Sequence, residues 1–242
     1  MPEYTIKEIF EFIEHADKRC LVVIDEFQQI TKYPEKNIEA ILRSYIQKLS
    51  NANFVFAGSQ RTILEEMFLS SRRPFFQSAK LIQLEAIALP IYQEFVIKHF
   101  QEGEKKIMPE VIEKVYTTFR GVTLYMQRIM KDAYAMTPVG VTCDMALVDS
   151  LIDSFVTEND YRIRELLAYI SEPQKEVLYA IHEEGQAKSI VSATFTKKHR
   201  LKSPSATQSA AQKLLEDDIL TRNEKVYSIA DPLLILWLDK KV

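Results

Sequence analysis

Leu21-Val22-Val23-Ile24-Asp25-Glu26 is a run of four apolar residues that ends in two acids. With Cys20 in front, the unbroken apolar stretch has the pattern of a strand buried on both faces of a parallel sheet. In open α/β sheets, ligands bind outside the carboxyl ends of the strands, and Asp25 and Glu26 fall at that end. One carboxylate there can hold Mg2+, usually through water, and its neighbour can orient an attacking water. A strand that ends in a solvated acidic turn is the plain alternative, and the hexapeptide alone leaves both readings open.

Outward from this strand, Asn53–Gly58 repeats the buried-strand pattern and runs into Ser59 and Gln60. A polar residue here can touch a terminal phosphate or the attacking water. The alternative is a strand-to-helix turn with Ser59 as N-cap. Lys80–Leu84 predicts a shorter third strand. Between the first two strands, Ile38, Ile41, Leu42, Tyr45, Ile46 and Leu49 recur at helical spacing, and Ile63, Leu64, Met67 and Phe68 do so between the last two. Strands alternating with helices argue for α/β layers over residues 1–89. Arg72-Arg73-Pro74 offers guanidiniums able to stabilise charge on a transferring phosphoryl group, although a solvated basic loop is the simpler reading.

Residues 90–170 read as all helical, with Pro90 and Pro109 at helix starts, Gly121 as a stop and a break near Asn159. Residues 171–242 give three helices and then a hairpin, the order of a winged helix-turn-helix. The helices are one from Pro173 to Gly185, one over Ser189–His199, and one opened by Ser205 and Gln208 as a capping box. Ile219–Thr221 and Val226–Ile229 form the hairpin, and Asp231-Pro232 caps a last helix. The helix from Ser205 presents Thr207 and Gln208. Lys197, Lys198, Arg200 and Lys202 precede it, and Lys225 sits on the wing. Such cations could contact phosphates and seat the helix in a DNA groove. Against this, residues 172–242 hold 11 Lys/Arg and 10 Asp/Glu, which makes the unit about neutral, and a structural or protein-contact role is the stronger reading.

The whole chain of 242 residues is 47% hydrophobic and 27% charged, with a net charge of −3. That fits a globular protein and excludes a strongly basic nucleic-acid coat. No apolar run is long enough to span a membrane, and the N-terminus is no secretory signal. Cys20 and Cys143 have no metal-ligand spacing, and a reducing cytoplasm is expected. The five glycines are followed by Ser, Glu, Val, Val and Gln. None is followed by Lys, so the phosphate-loop motif occurs nowhere.

The stretches LVVIDEFQQI (21–30), FVFAGSQ (54–60), RRPFF (72–76), RGVTLYMQ (120–127) and YSIADPLLILWL (227–238) occur in that order. Together they resemble the archaeal-type ATPase family, P-loop proteins of the AAA-like and STAND group with a helical lid and a winged helix. The resemblance runs from Lys18 onward, and DPLLILWL is its most specific part. It implies an α/β plus all-α chain: a partial P-loop-type parallel sheet over 1–89, a lid over 90–170 and a winged helix over 171–242. It also implies ATP and Mg2+ as cofactors. Asp25 becomes the Mg2+ acid of a Walker B strand, Glu26 the water-activating acid, and Ser59 or Gln60 the sensor. Arg72 and Arg73 are the candidates for a catalytic arginine.

Two departures accompany the resemblance. Only seventeen residues precede Lys18, without a Gly, where the family has its phosphate loop, and Ser78 stands near the place of a family Arg. In that group the loop-bearing strand sits mid-sheet, so the strands at Cys20 and Asn53 are neighbours and the one at Lys80 faces a gap. The sequence therefore predicts a piece of a longer ATPase, inactive alone, in which hydrolysis would move lid and winged helix. The alternative is a winged-helix DNA-binding or protein-interaction module without catalysis. In either case an open sheet edge would be available to a protein partner or to a second copy.

Overall fold

The structure, a computed structural model, describes residues 2–35 and 37–241. The chain divides into two compact units, Met1–Leu84 and Glu85–Val242.

The first unit opens with α1 (Pro2–Glu14), followed by β1 (Cys20–Ile24) and a short 3-10 helix (Phe27–Lys32). α2 (Ile38–Ile46), β2 (Ala52–Phe56) and α3 (Arg61–Leu69) complete it. β1 and β2 run parallel, with Cys20 opposite Ala52 and Ile24 opposite Phe56, and α2 lies in the crossover that parallel strands require. Phe10 of α1 stacks on Phe54. Beneath the carboxyl end of the sheet, Phe27, Phe56, Phe68 and Phe75 form a four-ring cluster. Phe27 and Phe56 are 4.4 Å apart, and Phe75 meets Phe56 at 5.6 Å. Phe75, from the RRPFF stretch, thus anchors the loop that follows α3.

Burial in the sheet alternates residue by residue, unlike the two-sided burial expected from the apolar run. Leu21, Val23 and Val55 remain 68%, 60% and 45% exposed. The helices of this unit direct their apolar side chains to the other face, where Leu42, Ile46, Ile63 and Leu64 meet Ile24 and Phe56. The expected third strand is also absent: Lys80–Leu84 is extended but pairs with nothing in a sheet among the described residues. A strand exists only through a neighbour that takes its main-chain bonds, and none lies beside this segment, so Leu81, Ile82 and Leu84 stay exposed.

The second unit begins with α4 (Leu89–Glu102), β3 (Lys106–Ile107), α5 (Pro109–Thr118) and α6 (Thr123–Met136). β4 (Thr142–Cys143), α7 (Met145–Glu158) and α8 (Asp160–Tyr169) follow. Pro90 and Pro109 stand in the first turns of α4 and α5. Gly121 follows α5 at φ +76°, and its amide bonds Tyr116 O. The break near Asn159 separates α7 from α8. β3 and β4 make a two-residue parallel bridge.

The winged helix is α9 (Glu172–Glu184), β5 (Ala187–Lys188), α10 (Ala193–Lys198), α11 (Pro204–Glu216), β6 (Leu220–Asn223), β7 (Val226–Ile229) and α12 (Pro232–Lys241). Its sheet order is β5-β7-β6. The helix expected over Ser189–His199 is shorter, because Ser192 caps it by accepting from Phe195 N–H. The capping box expected at Ser205 and Gln208 is replaced by Ser203, which accepts from Ala206 N–H. A complete capping box sits instead at Ser171 and Gln174. Buried side chains from Tyr92 in α4 to Leu238 in α12 form one hydrophobic cluster, so the two C-terminal parts distinguished in the sequence share a core.

Candidate functional site

Main-chain bonds zip β1 and β2 together to their carboxyl ends. Ala57 N–H donates to Ile24 O and Phe27 N–H to Ala57 O, both at 2.9 Å. The residues after each strand, Asp25-Glu26 and Gly58-Ser59, therefore emerge side by side. The chain turns sharply at Glu26, which is left-handed at φ 48°, a conformation non-Gly residues seldom adopt. Its own amide donates to Asp25 Oδ1 at 2.8 Å.

The Glu26 carboxylate is held from two sides at one oxygen. Ser59 Oγ donates to Oε2 at 3.1 Å, and Gln28 Nε2 donates to the same oxygen. Gln28 is fully buried, and its Oε1 has no hydrogen-bond partner among the described residues. Gly58 makes room for it: a Cβ there would lie 2.0 Å from Gln28 Oε1 and 2.8 Å from Leu64 Cδ1. Gln28 is the residue that sequence reasoning passed over. A glutamine two places after an acid pair carries no motif, and only its burial beside Gly58 reveals a role.

Of the other expected residues, Gln60 occupies the N-cap position of α3, without a side-chain capping bond, and its carbonyl accepts from Leu64 N–H. Arg72 is exposed. Arg73 pairs with Glu39 at 3.3 Å and with Glu66 at 3.6 Å. Burial pushes the Glu39 carboxyl above its ordinary range; Arg73 opposes this and Glu66 adds to it. Arg73 thereby neutralises a buried acid.

In the winged helix, Lys197, Arg200, Lys202, Gln208 and Lys225 are exposed. Lys198 is held by Glu184 at 2.5 Å, which raises the lysine's pKa and lowers that of the glutamate. Thr207 is buried in α11, where its hydroxyl donates to Ser203 O at 2.9 Å. Lys213, beyond it, pairs with Asp217 at 3.1 Å.

The fit to Mg2+ and ATP is uneven. Asp25 and Glu26 supply acids of the type that holds a hydrated Mg2+ and a water. No Gly in the sequence is followed by Lys, so the backbone cradle and lysine that β- and γ-phosphates need are not supplied. Among the described residues no three His, Cys, Asp or Glu side chains converge as a metal site, and no helix is long and apolar enough to cross a membrane. The residues present therefore do not fit ATP by themselves.

No curated protein sequence matches the chain. The family model described as "Probable winged helix domain" matches residues 161–240, so that domain begins within α8, ahead of residue 171. Among solved structures, the Walker-type ATPase of Pyrococcus abyssi aligns at 15% identity over 99% of this chain and 68% of that one, with a TM-score of 0.71. The RuvB Holliday junction branch migration motor of Thermotoga maritima aligns at 13% identity over 94% and 71% of the two chains, with a TM-score of 0.51. The Aeropyrum pernix ORC2 protein in its ADP form aligns at 15% identity over 97% and 67%, with a TM-score of 0.51. The chain thus has a fold of the P-loop ATPase type, with a small parallel sheet in a mainly helical molecule and a winged helix domain at its C-terminal end.

Proposed function

We propose that the chain carries the metal-and-water half of a P-loop ATPase site, of the Walker B type found in AAA-like proteins. Asp25 takes the Mg2+ side and Glu26 activates water. Ser59, with Gln60 beside it, is the polar sensor, and Arg72 is the exposed guanidinium available to a phosphoryl group. The carrying observation is the Glu26 carboxylate, gripped at Oε2 by Ser59 and Gln28 across the ends of two parallel strands. Both donors fall on one oxygen, which leaves Oε1 as the base. The phosphate cradle must come from residues outside this sequence, and the cysteines, both free, suit a reducing cytoplasm. Calorimetry of Mg-ATP with the whole chain is expected to show no binding. Binding that is lost in Asp25→Ala, or turnover that is lost in Glu26→Gln, would overturn the assignment of a half-site.

A second reading concerns the winged helix. Lys197, Arg200, Lys202 and Lys225 are exposed and make no ion pair among the described residues, so they are free to meet phosphates, with Gln208 on the presented face of α11. This predicts weak duplex binding that falls with salt and is lost in a Lys197→Glu, Arg200→Glu double variant. Binding unchanged by those substitutions would instead favour the protein-contact role.

A further inference from the structure

α10 is a helix of six residues, and charge ties its end to α9. The last two residues of α9, Glu183 and Glu184, face Lys198, the last residue of α10, and His199, its C-cap. Glu184 Oε1 accepts from Lys198 Nζ at 2.5 Å and meets His199 Nε2 at 2.9 Å. The other ring nitrogen, Nδ1, lies 3.2 Å from Glu183 Oε2. The His199 side chain is only 3% exposed, and the Phe195 ring lies against it at 4.5 Å. Two carboxylates therefore flank one buried imidazole, one at each nitrogen. A neutral imidazole carries a single N–H, so in either tautomer one lone pair would point at a carboxylate oxygen. Only the imidazolium offers an N–H to both. Its charge, with that of Lys198, also balances the two acids. Lys198 and, after it, His199 hold the Glu184 carboxyl below its ordinary range. His182 shows the contrast. Its Nε2 meets one carboxylate, that of Asp239, at 2.8 Å, a contact that a neutral ring satisfies.

We infer that His199 is a proton-controlled latch, which fixes the end of α10 to α9 when charged and releases it when neutral. Loss of the proton turns the contact with Glu183 from attraction into repulsion. The groups that face the ring are Glu183 and Glu184 from α9 and Lys198 from its own helix; no other acid or cation pairs with it among the described residues. Beyond the latch, α10 is held by its buried Phe195 and Thr196 and by Leu201 just after it. Between His199 and Leu201 the chain turns left-handed at Arg200, φ 54°. Lys197, Arg200 and Lys202 surround the latch in sequence and are exposed, so its state sets how these cations are presented. An effect on duplex binding rests on the second reading given above; the latch itself does not. A histidine changes charge between about pH 5 and 8. The attraction is present at the acidic end of that window and is lost as pH rises through it.

Amide hydrogen exchange of the whole chain, followed by NMR and corrected for the pH dependence of free amides, tests this between about pH 5.5 and 8. The reporters are the amides of His199 and Leu201, which donate to Phe195 O at 3.1 Å and Thr196 O at 2.8 Å. Their protection is expected to fall at least about tenfold as pH rises, the loss of one charge-assisted contact. Glu183→Gln sets an amide N–H opposite the neutral ring's lone pair and should reduce the fall to less than about threefold. His199→Gln should give one value across the range, near that of the wild type at the alkaline end. His182→Gln should leave the fall in place. Circular dichroism checks that each variant is folded, and the Glu183 side chain is 68% exposed, so its replacement disturbs no core. Protection that ignores pH in the wild type overturns the inference. So does a fall that persists in His199→Gln, one that Glu183→Gln leaves at full size, or one that His182→Gln abolishes. None of these samples contains DNA, so the latch can fail while the duplex reading stands, and the reverse.

Discussion

At the level of single residues, the acid pair stands out in the sequence because four apolar residues run straight into two acids. The support around it does not. Gly58 shows why: its need for a missing side chain comes from Gln28, thirty residues earlier in the chain, and no local pattern records that approach. Gly58→Ala should therefore push Gln28 off Glu26 and cost about 1–3 kcal/mol, as overpacking does. Urea denaturation reads the loss, and a Gly58→Ala, Gln28→Ala double variant should recover part of it. Glu39 gives a pH signature. A carboxyl whose folded pKa is raised favours folding while protonated, below its unfolded value near 4.5, and that contribution is lost as pH climbs through the folded value. Relative to Glu39→Gln, the wild type should lose stability as pH rises from the unfolded value near 4.5 through the raised folded one. A constant difference across that window would rule this out. In the second unit, burial pushes the Tyr92 hydroxyl up to about 12, and the group has no hydrogen-bond partner among the described residues. Tyr92→Phe removes an unsatisfied buried polar atom and should raise stability by about 0.5–1 kcal/mol in urea titrations.

At the level of elements, helices were readable and their starts less so. Ser-x-x-Gln occurs at both Ser171 and Ser205, but only the first is a capping box. The difference lies in proline. Pro204 prefers the first helical position, where its missing N–H costs nothing, so the cap falls on Ser203 and Ser205 is already inside the helix. Ser171→Ala and Ser203→Ala should each cost about 1 kcal/mol, whereas Ser205→Ala should change little. Equal costs at 203 and 205 would contradict the assigned cap. Strands were the weaker reading for a different reason. An apolar run reports what its side chains require. It does not report whether a cover or a neighbouring strand is present to meet that requirement, which is why one face of β1 and the whole of Lys80–Leu84 came out exposed.

At the level of the molecule, the decisive feature is the joint at the end of the second unit. α12 closes the winged helix but is tied to the preceding helices. Trp237 Nε1 donates to Asp160 Oδ1 at 2.8 Å, Lys240 pairs with Asp153 at 2.6 Å, and Tyr125 donates to Asp231 Oδ2 at 3.0 Å. Arg164 also holds Asp160 at 2.7 Å, and together these partners keep the Asp160 carboxyl below its ordinary range. The DPLLILWL stretch is thus the strap of one continuous core, which the sequence divided near residue 170 because helix patterns show periodicity but not which helix meets which. A shared core means that α5 and α6 should open together with α9 and α11. In native-state hydrogen exchange, the slowest amides of both groups should then share one opening free energy. Asp160→Ala leaves the buried Trp237 N–H without its acceptor and should lower that free energy by about 1–3 kcal/mol in both groups alike. The fluorescence of the single tryptophan should shift its urea midpoint by the matching amount. Protection lost in α9 and α11 but retained in α5 and α6 would mean that the winged helix unfolds by itself, and that any nucleotide-driven motion could be taken up between it and the helices before it.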